Sequence, residues 1–356
     1  MLTDADDLRK PENRRETFLR FYDFHTRWGA HPGGVYFLIP WLRSTLDWDD
    51  EETLWFCFIN GNTQNPITSL ILHAAGSTPS TADASVAEWR ARYASLAFDT
   101  DRRYHKKSFD VAVASYVDLL GDRTQAAFWT DRQAAGWDSM WSSATAISTF
   151  GRLSAWSYLE YVMIAGYGCD ADTLLVGDHA GSRSHRNGLC IVDGLDHLDW
   201  HASNPTFDGV YDPDVIDHLA SVGEDLLVSA RARAAGEAHL PDLTRLTLES
   251  ALCTYKSWHR PNRRYPGVYL DMLHDRIVQA DDRHADVDAE LWWQARSDCL
   301  PVALRLEDRP GDPGVGPDKQ NWYRVTGQQH TLQLEWPQMR CELDRQMDAQ
   351  QLGVFR

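Results

Sequence analysis

Residues Thr254–Gly267, TYKSWHRPNRRYPG, hold four cations and four aromatic rings with no acid among them. Cations hold phosphate and interleaved rings stack on bases, so such a segment suits a nucleic-acid or polyphosphate site. The same chemistry recurs at Arg102–Lys107 (RRYHKK) and Gly181–Gly188 (GSRSHRNG). Against a formal net charge of −17, three such clusters are expected to converge on one focused site. Backbone N–H groups of a Gly-flanked turn entering a helix form an anion site, and Arg183, His185 and Arg186 add charged donors to it. Pro261 and Pro266 stiffen the turn carrying Lys256, Arg263 and Arg264, so holding an anion there costs less entropy. The cluster Arg102, Arg103, Lys106 and Lys107 reads equally well as a solvated surface.

Four amides occupy six residues, Asn60-Gly-Asn-Thr-Gln-Asn65. An amide offers both a donor and an acceptor, as reading a nucleobase edge requires, whereas helix capping by Thr63 or Asn65 is the plainer use. Glu160 stands in the apolar run Trp156–Ile164 with Arg152 two turns earlier, either a general base of raised pKa or a salt-bridged core group. Asp178 and His179 precede the GSRSHRNG segment and are placed to take a proton from a nucleophile. Glu249 and Asp271 flank the basic segment and read as weaker choices, more often solvent charges. No phosphate-binding Gly-x-x-x-x-Gly-Lys-Ser/Thr loop, Gly-x-Gly-x-x-Gly turn, HExxH helix or Ser-His-Asp order is present, which argues against common ATPases, Rossmann enzymes and hydrolases.

The elements that must position these groups are mainly helical. Apolar residues recur at helical spacing over Glu12–Trp28, Pro66–Gly76, Ser108–Leu120, Phe150–Ala165 and from Pro213 through Leu227. A further helix, capped by Asp242, is expected through Leu246 and Leu252. Only Thr331–Trp336 alternates with the period of a strand, and Arg309–Pro317 reads as a loop or linker. A helical catalytic domain over residues 1–300 and a C-terminal linker and appendage over 301–356 follow. Fifteen tryptophans exceed ordinary packing needs, so some rings are expected to line a cleft. Six scattered cysteines support neither a zinc site nor a disulfide framework. The acidic N-terminus is no signal peptide and no apolar run spans a bilayer, so a soluble intracellular protein is expected.

Four blocks together resemble the bacteriophage amino acid:DNA transferases, also called alpha-glutamyl/putrescinyl thymine pyrophosphorylases. These are Leu54–Ser69, Phe150–Tyr161, Gly181–Gly188 and Thr254–Gly267 with the following VYLDML, within residues 15 to 280. The resemblance implies a DNA-glycosylase-like helical body, although no helix-hairpin-helix Gly-x-Gly or glycosylase Lys/Asp signature is evident. It also implies a transferase of the infected host's cytoplasm, acting on double-stranded phage DNA that carries pyrophosphorylated 5-hydroxymethyluracil. The amine of a free amino acid or polyamine would displace the pyrophosphate. On this reading Arg183, Arg186, Lys256, Arg263 and Arg264 hold the leaving group, and Asp178, Glu160 or His185 deprotonates the amine. Asn60, Gln64 and Asn65 read a base rotated out of the duplex, with Trp156, Tyr158 or Trp258 stacked on it. Arg102, Arg103, Lys106 and Lys107 contact the DNA backbone. No cofactor or metal site is required by the sequence; Mg²⁺ bridging the pyrophosphate stays open. The competing readings are glycosylase-like excision of a modified base and a non-catalytic nucleic-acid-binding phage protein.

Overall fold

The computed structural model describes residues 11–27, 35–99, 102, 104–178, 184–198, 209–234, 242–256, 272–284 and 286–299. Arg103, His179, Arg183, Trp258, Arg263, Arg264 and Asp271 lie outside the described residues, as do the strand expected at Thr331–Trp336 and the whole of 301–356. The described residues form helices without strands. In order these are α1 (Pro11–Arg27), α2 (Val35–Thr45), α3 (Asp50–Thr63), α4 (Pro66–Ala75), α5 (Ala82–Ala91), α6 (Phe109–Leu120) and α7 (Gln125–Ala134). There follow α8 (Trp137–Ala146), α9 (Arg152–Ile164), α10 (Ser184–Val192), α11 (Pro213–Arg233), α12 (Arg245–Tyr255), α13 (Met272–Arg283) and α14 (Glu290–Cys299). No described helix is long and apolar enough to cross a membrane.

Helix α3 is the interior axis. Every residue from Thr53 to Thr63 is buried, so no solvent stripe interrupts it, as befits a helix surrounded by others. Asp49 starts it with a capping box: its carboxylate accepts from the Glu52 amide at 2.9 Å, and Glu52 accepts from the Asp49 amide at 3.1 Å. Gln64 ends it in the left-handed conformation, φ 49°. Asn65 then opens α4, its Oδ1 accepting from the Thr68 amide at 3.0 Å, with Pro66 at the first helical position. Gly61 lets α9 approach closely, since a Cβ there would sit 3.2 Å from the Tyr158 Cβ.

Around α3 are α2, α4, α7 and α9; α12 packs on α9, and α10 packs on α12. Helix α1 closes over α12, where the Tyr22 hydroxyl donates to the Thr244 carbonyl at 2.9 Å and the Phe18 ring meets Tyr255 edge-on at 5.2 Å. The cap of α12 is Thr244 and not Asp242: the Thr244 hydroxyl, three residues before Thr247, accepts that amide at 3.2 Å. The tryptophans expected in a cleft are mostly core residues here. Trp41, Trp55, Trp89, Trp129, Trp137, Trp156, Trp292 and Trp293 are all buried. The indole N–H groups of Trp41, Trp55, Trp89, Trp129 and Trp156 find acceptors within the protein, such as the Gly76 carbonyl at 2.7 Å from Trp55, which is what permits such large polar-tipped rings inside.

Helices α10 and α12 touch through Gly188. A Cβ at that position would lie 2.5 Å from the Leu252 carbonyl oxygen, a backbone atom that cannot rotate away. Gly188→Ala is therefore expected to lower stability by about 1–3 kcal/mol through overpacking. Urea unfolding checks this; an unchanged midpoint would mean that the two helices separate freely.

Candidate active site

The first turn of α10 falls inside the GSRSHRNG segment, so His185, Arg186 and Asn187 project from a helix instead of a loop. That turn abuts the start of α9 and the last turns of α12. Helices α9, α10 and α12 and the segment between α9 and α10 thus bring Arg152, Asp178, His185, Arg186, Glu249 and Lys256 to one place.

Arg152 is the hub. Its guanidinium lies 3.2 Å from Glu249 Oε1, 3.5 Å from Asp178 Oδ2 and 3.3 Å from His185 Nε2, and it donates to the Leu174 carbonyl at 3.2 Å. Its remaining face covers the Trp156 ring at 5.2 Å. Arginine can only donate, so Nε2 of His185 accepts and the ring proton sits on Nδ1, which faces Glu249 Oε1 at 3.4 Å. Burial would raise the Glu249 pKa, but the hydrogen bond from His185 and the neighbouring positive charges hold it at about 2. Burial lowers the His185 pKa against the opposing pull of Glu249, and the charges of Arg152 and Arg186 add to the lowering, so the imidazole is neutral at neutral pH. With its acceptor nitrogen already engaged and its side chain fully buried, His185 has no lone pair for an incoming amine.

Asp178 is the carboxylate of this group that reaches solvent, with 29% of its side chain exposed against 2% for Glu249. On the opposite side Lys256 binds the Ser184 hydroxyl at the N-terminus of α10. Arg186 is buried, its guanidinium 4.9 Å from the Tyr211 ring centroid, and Tyr211 is anchored by its hydroxyl to the Leu198 carbonyl at 2.7 Å. Cationic side chains around a helix N-terminus, where backbone N–H groups also point outward, favour a multiply charged anion.

Glu160, on α9, meets α12 at Ser250, the residue after Glu249. The Tyr36 hydroxyl donates to Oε1, and the Ser250 hydroxyl donates to Oε2 at 2.9 Å. Of the two roles the sequence left open for Glu160, pairing with Arg152 is not the one seen: Arg152 meets Glu249 of α12, and Glu160 meets Tyr36 and Ser250. Burial raises the Glu160 pKa to about 8 against the two hydroxyl bonds, so the carboxyl is largely protonated at neutral pH. Its carboxyl is fully enclosed and touches core groups.

The other residues singled out in sequence are placed elsewhere. Asn60 is fully buried with Oδ1 accepting from Ser69 at 3.1 Å, and Asn65 caps α4, so these amides, with Gln64, build the α3–α4 corner. Trp156 and Tyr158 are closed into the core: the indole donates to the Leu246 carbonyl at 3.3 Å, and the phenol donates to Tyr116 at 2.9 Å. In place of a surface contact, Arg102 is buried and donates to the Gly61 carbonyl at 2.8 Å and the Leu153 carbonyl at 3.3 Å. It clamps α3 to the start of α9. Lys106 is half-buried and Lys107 exposed. Sequence reasoning weighed Glu249 too lightly and gave Tyr36, Ser250 and Tyr211 no role. Two polar residues in an apolar helix, Glu249 and Ser250, were the available signal for the first and third; nothing in the sequence pairs Tyr36 with Glu160.

The described residues thus form a helical body in which a buried ion cluster lies beside a cationic helix start. Residues 38–264 match the amino acid:DNA transferase family, and the chain belongs to that family. It is also 27% identical over 334 residues to a serinyltransferase of Salmonella phage ViI, covering 89% of this chain and 80% of the relative. No solved structure matches the chain. The protein is thus a transferase that modifies DNA with an amino acid.

Glu160 gives this site a measurable signature. Its pKa rises from a usual 4.5 to about 8 on folding, so between those values the folded chain keeps a proton that the unfolded chain has lost. Stability from this group is full below pH 4.5 and declines as pH rises to about 8, with a slope of roughly 1 kcal/mol per pH unit. Glu160→Gln is expected to flatten that decline. Urea midpoints at pH 5, 6.5 and 8 provide the check, and parallel curves for both proteins would assign the proton elsewhere.

Proposed function

We propose that this enzyme displaces pyrophosphate from 5-pyrophosphoryloxymethyl-deoxyuridine in double-stranded DNA, using the amine of a free amino acid or polyamine. The observation that carries the reading is the gathering of Arg152, Arg186 and Lys256 around the α10 N-terminus beside a solvent-reaching carboxylate, in a chain of the amino acid:DNA transferase family. The new bond joins the amine nitrogen to the exocyclic methylene carbon of the base. The bond that breaks is the carbon–oxygen bond to pyrophosphate, which leaves with the electron pair. Departure concentrates negative charge on the leaving oxygen, where positioned cations stabilise it most. Lys256 and Arg186 are the cations assigned to this anion, with Arg183, Arg263 and Arg264 supplied by the basic segments.

A free amine is an ammonium ion at neutral pH and must first lose a proton. Among the three candidates Asp178 fits this task, since His185 has its acceptor nitrogen on Arg152 and Glu160 is enclosed by Tyr36 and Ser250. Asp178 passes the proton to water after transfer. Reading of the base by Asn60, Gln64 and Asn65, stacking by Trp156 or Tyr158, and rotation of the base out of the duplex remain parts of the proposal. They require the α3–α4 corner and the α9 core to open from the arrangement described above. The relative's name makes serine the first donor to test. The reaction belongs to the cytoplasm of an infected bacterial host.

The test is incubation of duplex carrying the pyrophosphorylated base with serine, glycine, glutamate or putrescine. Pyrophosphate release with an intact glycosidic bond is expected; an abasic site would instead establish excision. Asp178→Asn is expected to lower turnover about 10²–10⁴-fold, the range for removing a general base, with little change in unfolding temperature. Retained turnover would assign the proton transfer to another group.

A further inference from the structure

The short 3₁₀ turn His105–Ser108 leaves Lys107 exposed, and Tyr104 just before it is 81% exposed. Lys106 lies 4.8 Å from the Tyr93 ring centroid and donates to the Leu96 carbonyl at 2.7 Å, which leaves further ammonium protons directed outward. Helix α13 brings Arg283 to the same edge, 3.4 Å from the Ser95 carbonyl and near enough for its charge to be felt at Lys106. Of the neighbouring acids, Asp110 pairs with Arg90, Glu88 and Asp286 with Arg92, and Asp99 with Arg276, while Asp281 and Asp282 of α13 stand exposed just before Arg283. Among the described residues, no carboxylate pairs with Lys106, Lys107 or Arg283.

We propose that Tyr93, Tyr104, Lys106, Lys107 and Arg283 form a docking surface for the phosphate backbone of duplex DNA. The inference rests on the reading that this enzyme acts on DNA. Like charges held together without acid partners repel, and a chain of net charge −17 had many acids to place there. A row of phosphates resolves that repulsion, and exposed tyrosines add hydroxyl donors and flat faces for the sugars. The surface is tied to the active site through α9. His105 Nε2 is 3.0 Å from the Ser154 hydroxyl and Arg102 reaches the Leu153 carbonyl, while the adjacent Arg152 is the hub of the ion cluster. Backbone held at this edge is thus positioned beside the first turn of α9. Such contacts position the duplex without reading its sequence.

The experiment is fluorescence anisotropy of an unmodified labelled duplex across a salt series, which needs no modified base and no chemistry. The wild-type enzyme is compared with Lys107→Ala/Arg283→Ala and with Lys107→Arg/Arg283→Lys. Each lost phosphate contact reduces the slope of log affinity against log salt by ~0.9, so the alanine pair is expected to lose ~1.8 and the charge-retaining pair to keep the wild-type slope. Asp178→Asn is expected to keep the slope while losing turnover. An alanine pair that folds with the wild-type unfolding temperature and keeps the full slope overturns the surface, even if transfer is demonstrated. A lost slope with no transfer to any amine leaves the surface standing and removes the chemistry.

Discussion

A guanidinium placed in a protein interior must be matched by negative charge and acceptors, and Arg152 meets that condition with groups from three separate segments. Glu249 comes from α12, His185 from α10, and Asp178 and the Leu174 carbonyl from the segment between α9 and α10. Removing Glu249, the enclosed carboxylate of the cluster, would leave the buried guanidinium without its main counter-charge, which costs far more than losing an exposed ion pair. The cluster therefore fixes how α9, α10 and α12 sit together. It also sets the protonation of the groups it joins: Glu249 ionised, His185 neutral and accepting. The placement of the α10 N-terminus depends on this arrangement, because His185 in its first turn is held by Arg152.

Two buried carboxyls, Glu249 of α12 and Glu160 of α9, show how local partners divide similar groups. Glu249 faces a guanidinium and an imidazole N–H and stays charged. Glu160 faces two hydroxyls and holds its proton to about pH 8. Desolvation acts on both, and the difference lies in whether a cation is in contact. A protonated Glu160 joins α2, α9 and α12 through neutral hydrogen bonds, so the core behind the ion cluster carries less charge than its composition suggests.

The helices were largely legible because they carry periodic apolar faces with capping residues at their ends. Pro11, Pro66 and Pro213 mark three starts, and Gly76 and Gly121 mark two ends. The start of α10 was harder to place. Two glycines and a polar run look like a loop, whereas Gly188 is small because Leu252 of α12 presses against it. The amide corner was ambiguous for a related reason: Asn60 and Asn65 here bond within the α3–α4 corner and cap α4, uses that composition alone does not separate from base recognition. Trp156 and Tyr158 likewise read as stacking rings until their neighbours are known.

What the chain determines on its own is the inventory: a mainly helical body, basic segments on an acidic background, a buried Glu160 and a family resemblance carried by short blocks. These follow from residue types and from spacing within one element, which secondary structure alone converts into faces. The pairings belong to the tertiary structure. Arg152 with Glu249 spans 97 positions and Tyr36 with Glu160 spans 124, and both depend on which helices cross. A crossing is selected by the packing of all the elements together, through contacts such as Gly188 on Leu252, and no local pattern encodes it.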